Sequence, residues 1–329
     1  MSQCELEIDI DKPRYDQDTY LGRAKHFFLI TNPLNLFVSA KKLEEAKCIV
    51  EKYRCGLRFK EELTPEQLWR AKTLYDSAYH PDTGEKMNII GRMSAQVPMN
   101  MLICGGMMAF YKTTPAVVFW QWFNQSFNAL VNYTNRSGDT QQSTKQIMTS
   151  YVFATTGAVG TALYLNKLVK CMNPLIGRFV PLAAVAASNC INIPMMRAQE
   201  LKSGTPVYDE YNNKLGYSRV AAQSGISQVI VSRICMAMPG MVITPIVMDY
   251  LEKRGTLCRY PWINLPATVG VLGLCLTFAT PLACAFFKQR ATFPYNHLEE
   301  DLRTSLQKRY KCNTPMYVYY YPRHHPYLI

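Results

Sequence analysis

Residues 260–287 read YPWINLPATVGVLGLCLTFATPLACAFF, and this segment contains no Asp, Glu, Lys or Arg. About 20 consecutive, mostly apolar residues are enough for a helix to cross the hydrocarbon core of a bilayer. The alternative is a core helix of a large soluble protein, but soluble helices normally carry charge on one face. The length of the segment and its lack of charge favour a membrane-spanning helix.

Five further uncharged segments precede this one: 93–111, 113–135, 146–166, 179–196 and 234–248. The third and fourth are long enough to span, and the fifth is long enough only if Arg233 is included. Lys112 and Pro115 interrupt the first two, which predicts one span from about Asn100 to Phe119 followed by an amphipathic, partly embedded stretch. The sequence therefore predicts about five spans, with four or six as alternatives.

Charge divides the chain near residue 92. Residues 1–92 contain 15 basic and 15 acidic residues, so the remainder carries all of the net charge of +12. Basic, charge-poor loops suit contact with anionic lipid headgroups. Nucleic-acid binding would instead need clustered Lys and Arg on a polar surface, which the sequence does not show. We therefore predict lipid rather than nucleic acid as a partner.

The predicted fold is all-α, a multi-pass transmembrane helical protein with a soluble helical N-terminal domain. The predicted boundaries are 1–92 for the soluble domain, 93–287 for the transmembrane domain and 288–329 for a polar C-terminal tail. In the soluble domain, Ser39 is a candidate N-cap for a helix to about Tyr53, with Gly56 as the stop signal. Thr64-Pro65-Glu66-Gln67 has the capping-box pattern and predicts a helix to about Tyr79.

The sequence HPDTGEKM at residues 80–87 is typical of a tight turn, because it contains Pro81, Asp82 and Gly84. His80 and Asp82 could alternatively form a catalytic or metal-binding pair, but we favour the turn. The 11 Cys and five His residues show no zinc-site spacing, and phosphate-loop and nucleophile-elbow motifs are absent. We predict no metal, no cofactor and no enzymatic activity.

Amide side chains recur every three or four residues in the second uncharged segment: Gln121, Asn124, Gln125, Asn128 and Asn132. This spacing places them along one side of a helix. Ser188, Asn189 and Asn192 form a similar group in the fourth segment. Such residues either hydrogen-bond neighbouring helices or line a polar substrate pathway, and the sequence alone leaves both interpretations open.

Arg233 is the cation closest to the fifth segment. Its side chain either extends to the headgroups, which is the commoner case, or binds a substrate carboxylate. Neutral amides together with one cation would suit a small zwitterion that carries a hydroxyl group or a short side chain. The uncharged segments contain no Asp or Glu, which argues against a carboxylate relay for protons or sodium.

Long stretches of the chain resemble the sideroflexins, and the resemblance extends from about Ile10 to Lys311. The matching stretches are DKPRYDQDTYLGRAKHFF (11–28), YDSAYHPDTGEKMNIIGRMSAQVPMNM (75–101), TTPAVVFWQWFNQSFNALVNYTNRSGD (113–139), PLIGRFVPLAAVAASNCINIPMMRAQEL (174–201) and PGMVITPIVMDYLEK (239–253). The chain departs from the family at its C-terminus, YVYYYPRHHPYLI (317–329).

The resemblance implies a multi-pass carrier of the mitochondrial inner membrane, usually drawn with five spans. It implies transport of serine and similar small neutral amino acids, which supplies one-carbon metabolism. An iron- or haem-linked role, or assembly of respiratory complexes, is the alternative. The acidic residues of the first dozen positions are unlike a cleaved presequence. The sequence does not set the oligomeric state.

Overall fold

The computed structural model describes residues 8–57, 63–80, 83–110, 113–134, 144–169, 180–310 and 317–321. The described chain is mostly helical. Its N-terminal part contains three α-helices and a short 3-10 helix at Pro33–Phe37. The α-helices are α1 (Tyr20–Ile30), α2 (Ala40–Arg54) and α3 (Pro65–Ala78).

The two helix starts predicted in this region are confirmed. The Ser39 hydroxyl accepts a hydrogen bond from the backbone N–H of Lys42 at the start of α2. At α3, Thr64 and Gln67 form a capping box, in which each side chain accepts a hydrogen bond from the other residue's backbone N–H. These bonds satisfy backbone donors that have no partner within the helix. The apolar faces of α2 and α3 then pack together around Leu43, Ala46, Val50, Leu68 and Ala71.

The remaining apolar helices are α4 (Gln96–Phe110), α5 (Thr114–Thr134), α6 (Thr144–Val169), α7 (Val180–Met196), α9 (Arg219–Lys253) and α11 (Asn264–Cys284). Short helices α8 (Ala198–Ser203) and α10 (Thr256–Arg259) lie between them. Among the described residues, two helical segments are long and apolar enough to cross a membrane, Arg219–Lys253 and Pro261–Cys284. The predicted count of about five spans is not confirmed.

The outer surfaces of these helices are apolar. On α9 and α11, the large exposed side chains include Met238, Ile243, Ile246, Leu274 and Phe278. The most apolar 18-residue stretch of Arg219–Lys253 is only 39% buried inside the protein, and that of Pro261–Cys284 is 50% buried. Exposed apolar surface of this extent is unfavourable in water. Lipid removes that cost, so the surfaces are consistent with a membrane protein.

The predicted single span from Asn100 to Phe119 is wrong. The α4 helix ends at Phe110, and a new helix, α5, starts at Thr114. Pro115 has no backbone N–H and a fixed φ, so it suits the first turn of a helix and disfavours the interior. The Thr113 hydroxyl also accepts a hydrogen bond from Ala116, at 3.4 Å, as an N-cap would. The sequence around residue 113 therefore begins a second helix.

The main apolar cluster joins α4, α5, α7, α9 and α11. Its buried members include Ile103, Met107, Phe127, Met241 and Leu272.

Close packing of α6 depends on small residues. Ala154, Ala158 and Ala162 of α6 are fully buried, and α6 packs against α7. Short side chains allow helix backbones to approach closely. These contacts place α5, α6 and α7 side by side.

A small antiparallel sheet was not predicted, and it corrects the all-α fold class. Its strand order is β2-β1-β4-β3, with β1 at Thr205–Tyr208, β2 at Lys214–Ser218, β3 at Ala291–Pro294 and β4 at Tyr317–Tyr320. It packs with α12 (Glu300–Tyr310) around a separate apolar cluster. Strand pairing therefore connects the segment before α9 with the part of the chain that was predicted to be a polar tail.

The start of α9 is capped by a side chain from 80 residues away. The Glu299 carboxylate accepts hydrogen bonds from the backbone N–H groups of Arg219 and Val220, and the Ser218 hydroxyl accepts one from Ala221. Partial burial alone would raise the pKa of Glu299, but these hydrogen bonds outweigh it and lower the pKa. The cap is therefore charged at neutral pH and complements the positive end of the helix dipole.

Gly106 provides a test of the packing between α4 and α5. A Cβ added at Gly106 would lie 2.0 Å from the Trp120 ring, and that ring is stacked on Phe110. We expect Gly106→Ala to lower the free energy of unfolding by about 1–3 kcal/mol through overpacking. A Cβ added at Gly270 meets no atom within 4 Å, so Gly270→Ala is the matched control.

The measurement is the melting temperature of both variants in detergent. The control should melt at or above the wild-type temperature, because Ala is favoured over Gly in a helix by about 0.5–1 kcal/mol. Equal melting temperatures for Gly106→Ala and the wild type would contradict the packing described for α4 and α5.

Candidate functional site: a buried amide cluster between helices

The amide side chains of α5 face the protein interior. Gln121, Asn124 and Gln125 are buried, and Asn128 is half-buried one turn further on. Trp122, on another side of the same helix, is exposed. The spacing in the sequence therefore placed these amides correctly along one side of a helix. The side chain of Asn132 lies outside the described residues.

The facing group on α7 is also buried. Ser188, Asn189 and Asn192 each lie almost entirely inside the protein. Gln125 Nε2 donates a hydrogen bond to Ser188 Oγ, which connects the amides of α5 with the polar residues of α7. We call Gln121, Asn124, Gln125, Asn128, Ser188, Asn189 and Asn192 the amide cluster.

Further polar contacts connect these helices to α6. The hydroxyl oxygens of Ser126 and Tyr151 lie 2.8 Å apart. Ser150 donates a hydrogen bond of 3.0 Å to the carbonyl oxygen of Met195, near the end of α7. The polar residues of α5, α6 and α7 therefore lie at one meeting point of three helices.

Apolar side chains surround the cluster. Phe127 and Val131 of α5 and Val185 of α7 are buried in the main apolar cluster. Within the described residues, Gln125 Oε1 is buried without a hydrogen-bond partner. A polar atom left without a partner in such surroundings costs about 1–3 kcal/mol. This oxygen is therefore a strong acceptor that a ligand donor could satisfy.

Arg233 lies in a different part of the protein. Its neighbour Ser232 donates a hydrogen bond of 2.8 Å to the carbonyl oxygen of Ala283. Met236, one turn further along α9, packs with Phe27 and Cys284 in the cluster that joins α1, α9 and α11. The amides instead border the main apolar cluster. These contacts place the part of α9 around Arg233 near α1 and the end of α11, and the predicted role of Arg233 toward substrate stays a prediction.

The HPDTGEKM segment closes a tight hairpin. Tyr79 pairs with Lys86 as an isolated antiparallel bridge. The N–H of His80 donates to the carbonyl oxygen of Glu85 at 2.8 Å, and Gly84 donates back to His80 at 2.8 Å. Gly84 has a φ of 65°, which glycine adopts without strain. These backbone contacts are consistent with the predicted turn.

The remaining predicted members of this turn, Pro81 and Asp82, lie outside the described residues. Within the described ranges, no group of three or more His, Cys, Asp or Glu side chains is arranged to hold a metal ion.

A small cleft of about 20 Å³ lies in the N-terminal part, between the segment before α1, α1 itself and α3. Lys72 and Asp76 form a buried ion pair in its wall, with Nζ and Oδ1 2.6 Å apart. Burial raises the pKa of Asp76 although Lys72 opposes this. Burial, and secondly the charge of Lys72, lowers the pKa of His26 to about 4. His26 is therefore neutral in the folded protein at neutral pH.

A sequence model of the family described as Sideroflexins matches residues 9–322. The chain belongs to the sideroflexin family. It is 61% identical over 302 residues to Sideroflexin-1-3 of Drosophila melanogaster, which covers 92% of this chain and 94% of that protein. It is 56% identical over 321 residues to Sideroflexin-3 of Homo sapiens, covering 98% and 99%. Sideroflexin-1 of Homo sapiens is 59% identical over 301 residues, covering 92% and 93%.

No solved structure is significantly similar to this sideroflexin. The family assignment confirms the resemblance found in the sequence, including its extent along most of the chain.

Sequence reasoning missed one charged pair in this sideroflexin. Arg197 and Glu200 follow α7 directly and form a buried ion pair, with Nε 2.9 Å from Oε1. The signal was an Arg and a Glu three residues apart immediately after an uncharged segment, a spacing that brings side chains together on a helix. Glu200 lies just beyond the fourth uncharged segment, 179–196, so the lack of carboxylates noted for these segments does not extend to it.

His26 predicts how the stability of this sideroflexin depends on pH. An unfolded histidine has a pKa near 6.5, whereas the pKa of folded His26 is about 4. The unfolded state therefore binds the proton first, so stability falls as the pH drops from about 6.5 toward about 4. The loss amounts to about 3 kcal/mol at the lower limit.

We expect His26→Gln to reduce this pH dependence. Melting temperatures measured in detergent between pH 7 and pH 4.5 test it. His297→Gln, a substitution of an exposed histidine, is the matched control and should keep the wild-type slope. An unchanged slope in His26→Gln would show that other groups cause the acid sensitivity.

Proposed function

We propose that the protein transports serine and similar small neutral amino acids across the mitochondrial inner membrane. The observation that carries this proposal is the amide cluster, which is buried between helices whose outer surfaces are apolar. A buried polar centre inside an apolar, lipid-compatible shell is what a membrane protein needs to hold a polar solute away from lipid. We treat the amide cluster as the substrate pathway.

The chemistry of the cluster suits a neutral, zwitterionic solute. Each Asn or Gln side chain offers two donor hydrogens and one acceptor oxygen, so amides can bind a hydroxyl, an ammonium group or a carboxylate. They carry no net charge and so do not favour anions over cations. Serine has all three groups, and the buried Gln125 Oε1 could accept a hydrogen bond from its hydroxyl or ammonium group.

Family membership supports the location and the metabolic role. The sideroflexin resemblance implies the mitochondrial inner membrane and a supply of serine to one-carbon metabolism. On this proposal the protein is a carrier and not an enzyme, since the amide cluster offers binding groups without a nucleophile–base pair.

Reconstituted uptake tests the proposal. Lipid vesicles that contain only this protein should accumulate labelled serine down its gradient, and protein-free vesicles should not. Unlabelled alanine and glycine should compete with serine, whereas aspartate and lysine should compete weakly, because a neutral site offers their extra charge no partner. Equal rates with and without the protein would contradict the proposed transport.

Asn128 tests whether the amide cluster lines the substrate pathway. Asn128 is half-buried, so its amide can be removed at small cost in packing. We expect Asn128→Ala to raise the apparent KM for serine roughly 2- to 13-fold, which corresponds to a lost hydrogen bond of about 0.5–1.5 kcal/mol. The melting temperature should stay unchanged.

Gln223→Ala is the matched control for this experiment, because it removes an exposed amide at the start of α9. It should leave the KM for serine at the wild-type value. If Asn128→Ala instead lowers the melting temperature and leaves the KM unchanged, the amides connect helices and do not line the pathway.

A further inference from the structure

Arg197 and Glu200 form the buried ion pair that follows α7. Their side chains are only 10% and 9% exposed. Arg197 Nε lies 2.9 Å from Oε1 and 3.1 Å from Oε2 of Glu200, and Nη2 lies 2.5 Å from Oε2. The guanidinium and carboxylate thus meet through several short, charge-assisted hydrogen bonds.

The pair lies at a junction of three helices. Glu200 belongs to α8, which packs against both α7 and α9. Arg197 directly follows the last residue of α7, the helix that contributes Asn189 and Asn192 to the amide cluster. Asn192 precedes Arg197 by five residues, or about 7.5 Å along a helix axis. The ion pair is therefore at the end of the amide cluster.

Pro194 and the hydrogen bond from Ser150 to Met195 mark the same end of α7. A proline leaves one carbonyl oxygen without its usual helical donor, and Ser150 binds a neighbouring carbonyl from outside the helix. In membrane proteins, freed backbone groups of this kind are found where they line a cavity or are bound by neighbouring helices. The last turn of α7, next to the ion pair, therefore has a backbone carbonyl that is bound by a side chain of another helix.

A buried ion pair is a poor source of stability, because the desolvation of two charges offsets most of their attraction. A guanidinium and a carboxylate held together are, however, complementary to an α-amino acid, whose carboxylate and ammonium groups are also adjacent. Arginine binds a carboxylate through two parallel hydrogen bonds. A carboxylate side chain binds an ammonium group through charge-assisted bonds.

We propose that the Arg197–Glu200 pair is the binding site for the charged end of the amino-acid substrate, with Arg197 binding its carboxylate and Glu200 its ammonium group. This inference rests on the proposed transport of amino acids. In the empty protein the two side chains neutralise each other, so no isolated charge stays buried. When substrate enters, Arg197 exchanges Glu200 for the substrate carboxylate, and Glu200 exchanges Arg197 for the substrate ammonium group. One buried ion pair thereby becomes two, and every buried charge lies next to an opposite charge.

This exchange explains how a carrier could select zwitterions without a fixed net charge. A solute that lacks either charged group would separate Arg197 from Glu200 without offering both of them an opposite charge, which is costly in a buried site. The side chain of the substrate would extend toward Asn192 and the rest of the amide cluster. The ion pair therefore selects the amino-acid backbone, and the amides select the side chain.

The test compares serine with two analogues in vesicles that contain the full chain. Ethanolamine lacks the carboxylate of serine, and 3-hydroxypropionate lacks its ammonium group. In Glu200→Gln, we expect the KM for serine to rise about tenfold or more, while inhibition by 3-hydroxypropionate strengthens, because its binding to Arg197 no longer separates a buried ion pair. In Arg197→Gln, inhibition by 3-hydroxypropionate should weaken, and inhibition by ethanolamine should be retained.

Asp249→Asn is the matched control. It removes the carboxylate of another ion pair, with Lys253 near the end of α9, and should leave the KM for serine within about twofold of wild type. A structural ion pair would not produce the crossed pattern of analogue inhibition. Folded Glu200→Gln and Arg197→Gln with the wild-type KM and the wild-type analogue pattern would overturn the proposal.

Glu200→Asp is the variant to use if removal of either charge prevents folding. It keeps the charge but shortens the side chain, so a raised KM for serine at an unchanged melting temperature supports the proposal. An unchanged KM overturns it. Vesicles that contain the wild-type protein distinguish failure of the ion-pair proposal from failure of the proposed function. If they take up no serine, the proposed transport itself is contradicted.

Discussion

The cap that Glu299 forms on α9 connects the small sheet and α12 with the apolar helices. The first N–H groups of a helix have no partner within it, and α9 is the longest helix described, at 35 residues. The carboxylate that satisfies Arg219 and Val220 comes from the segment just before α12. Because α9 contacts α7, α8 and α11, a fixed start to α9 also fixes the position of the sheet relative to the apolar helices.

Local signals in the sequence predicted α2 and α3, but α1 (Tyr20–Ile30) was not predicted. A cap such as Ser39 or Thr64 acts within three residues, so its effect is readable without knowledge of the fold. The α4–α5 boundary was predicted wrongly, because the span from Asn100 to Phe119 was continued across Lys112 and Pro115, although proline is a strong local constraint. The sheet could not be predicted, since its pairing of β1 with β4 joins residues more than 100 positions apart. The strand β4 (Tyr317–Tyr320) lies inside the family match, which extends to residue 322, so the predicted departure of the C-terminus from the family is wrong for this strand.

For the candidate site too, local spacing was predictable from the sequence, whereas contacts between helices were not. Helical spacing was enough to predict that Gln121, Asn124 and Gln125 share one side of α5, and all three are buried. The contact of Gln125 with Ser188 was not predictable, because it depends on how α5 and α7 pack. Burial of Arg197 and Glu200 was not predicted, because both residues lie outside the uncharged segment 179–196. Charges that neutralise each other can be buried, so the end of an uncharged segment does not mark the end of the buried region.

The shortness of α4 affects the bilayer around the protein. A helix of fifteen residues is about 22 Å long, whereas the hydrocarbon core is about 30 Å thick. In a bilayer, α4 therefore reaches the headgroups on both sides only where the lipid beside it thins. Otherwise one end of α4 lies within the hydrocarbon core, where its free backbone groups need partners. The short helix thus favours a thinner bilayer around this part of the protein.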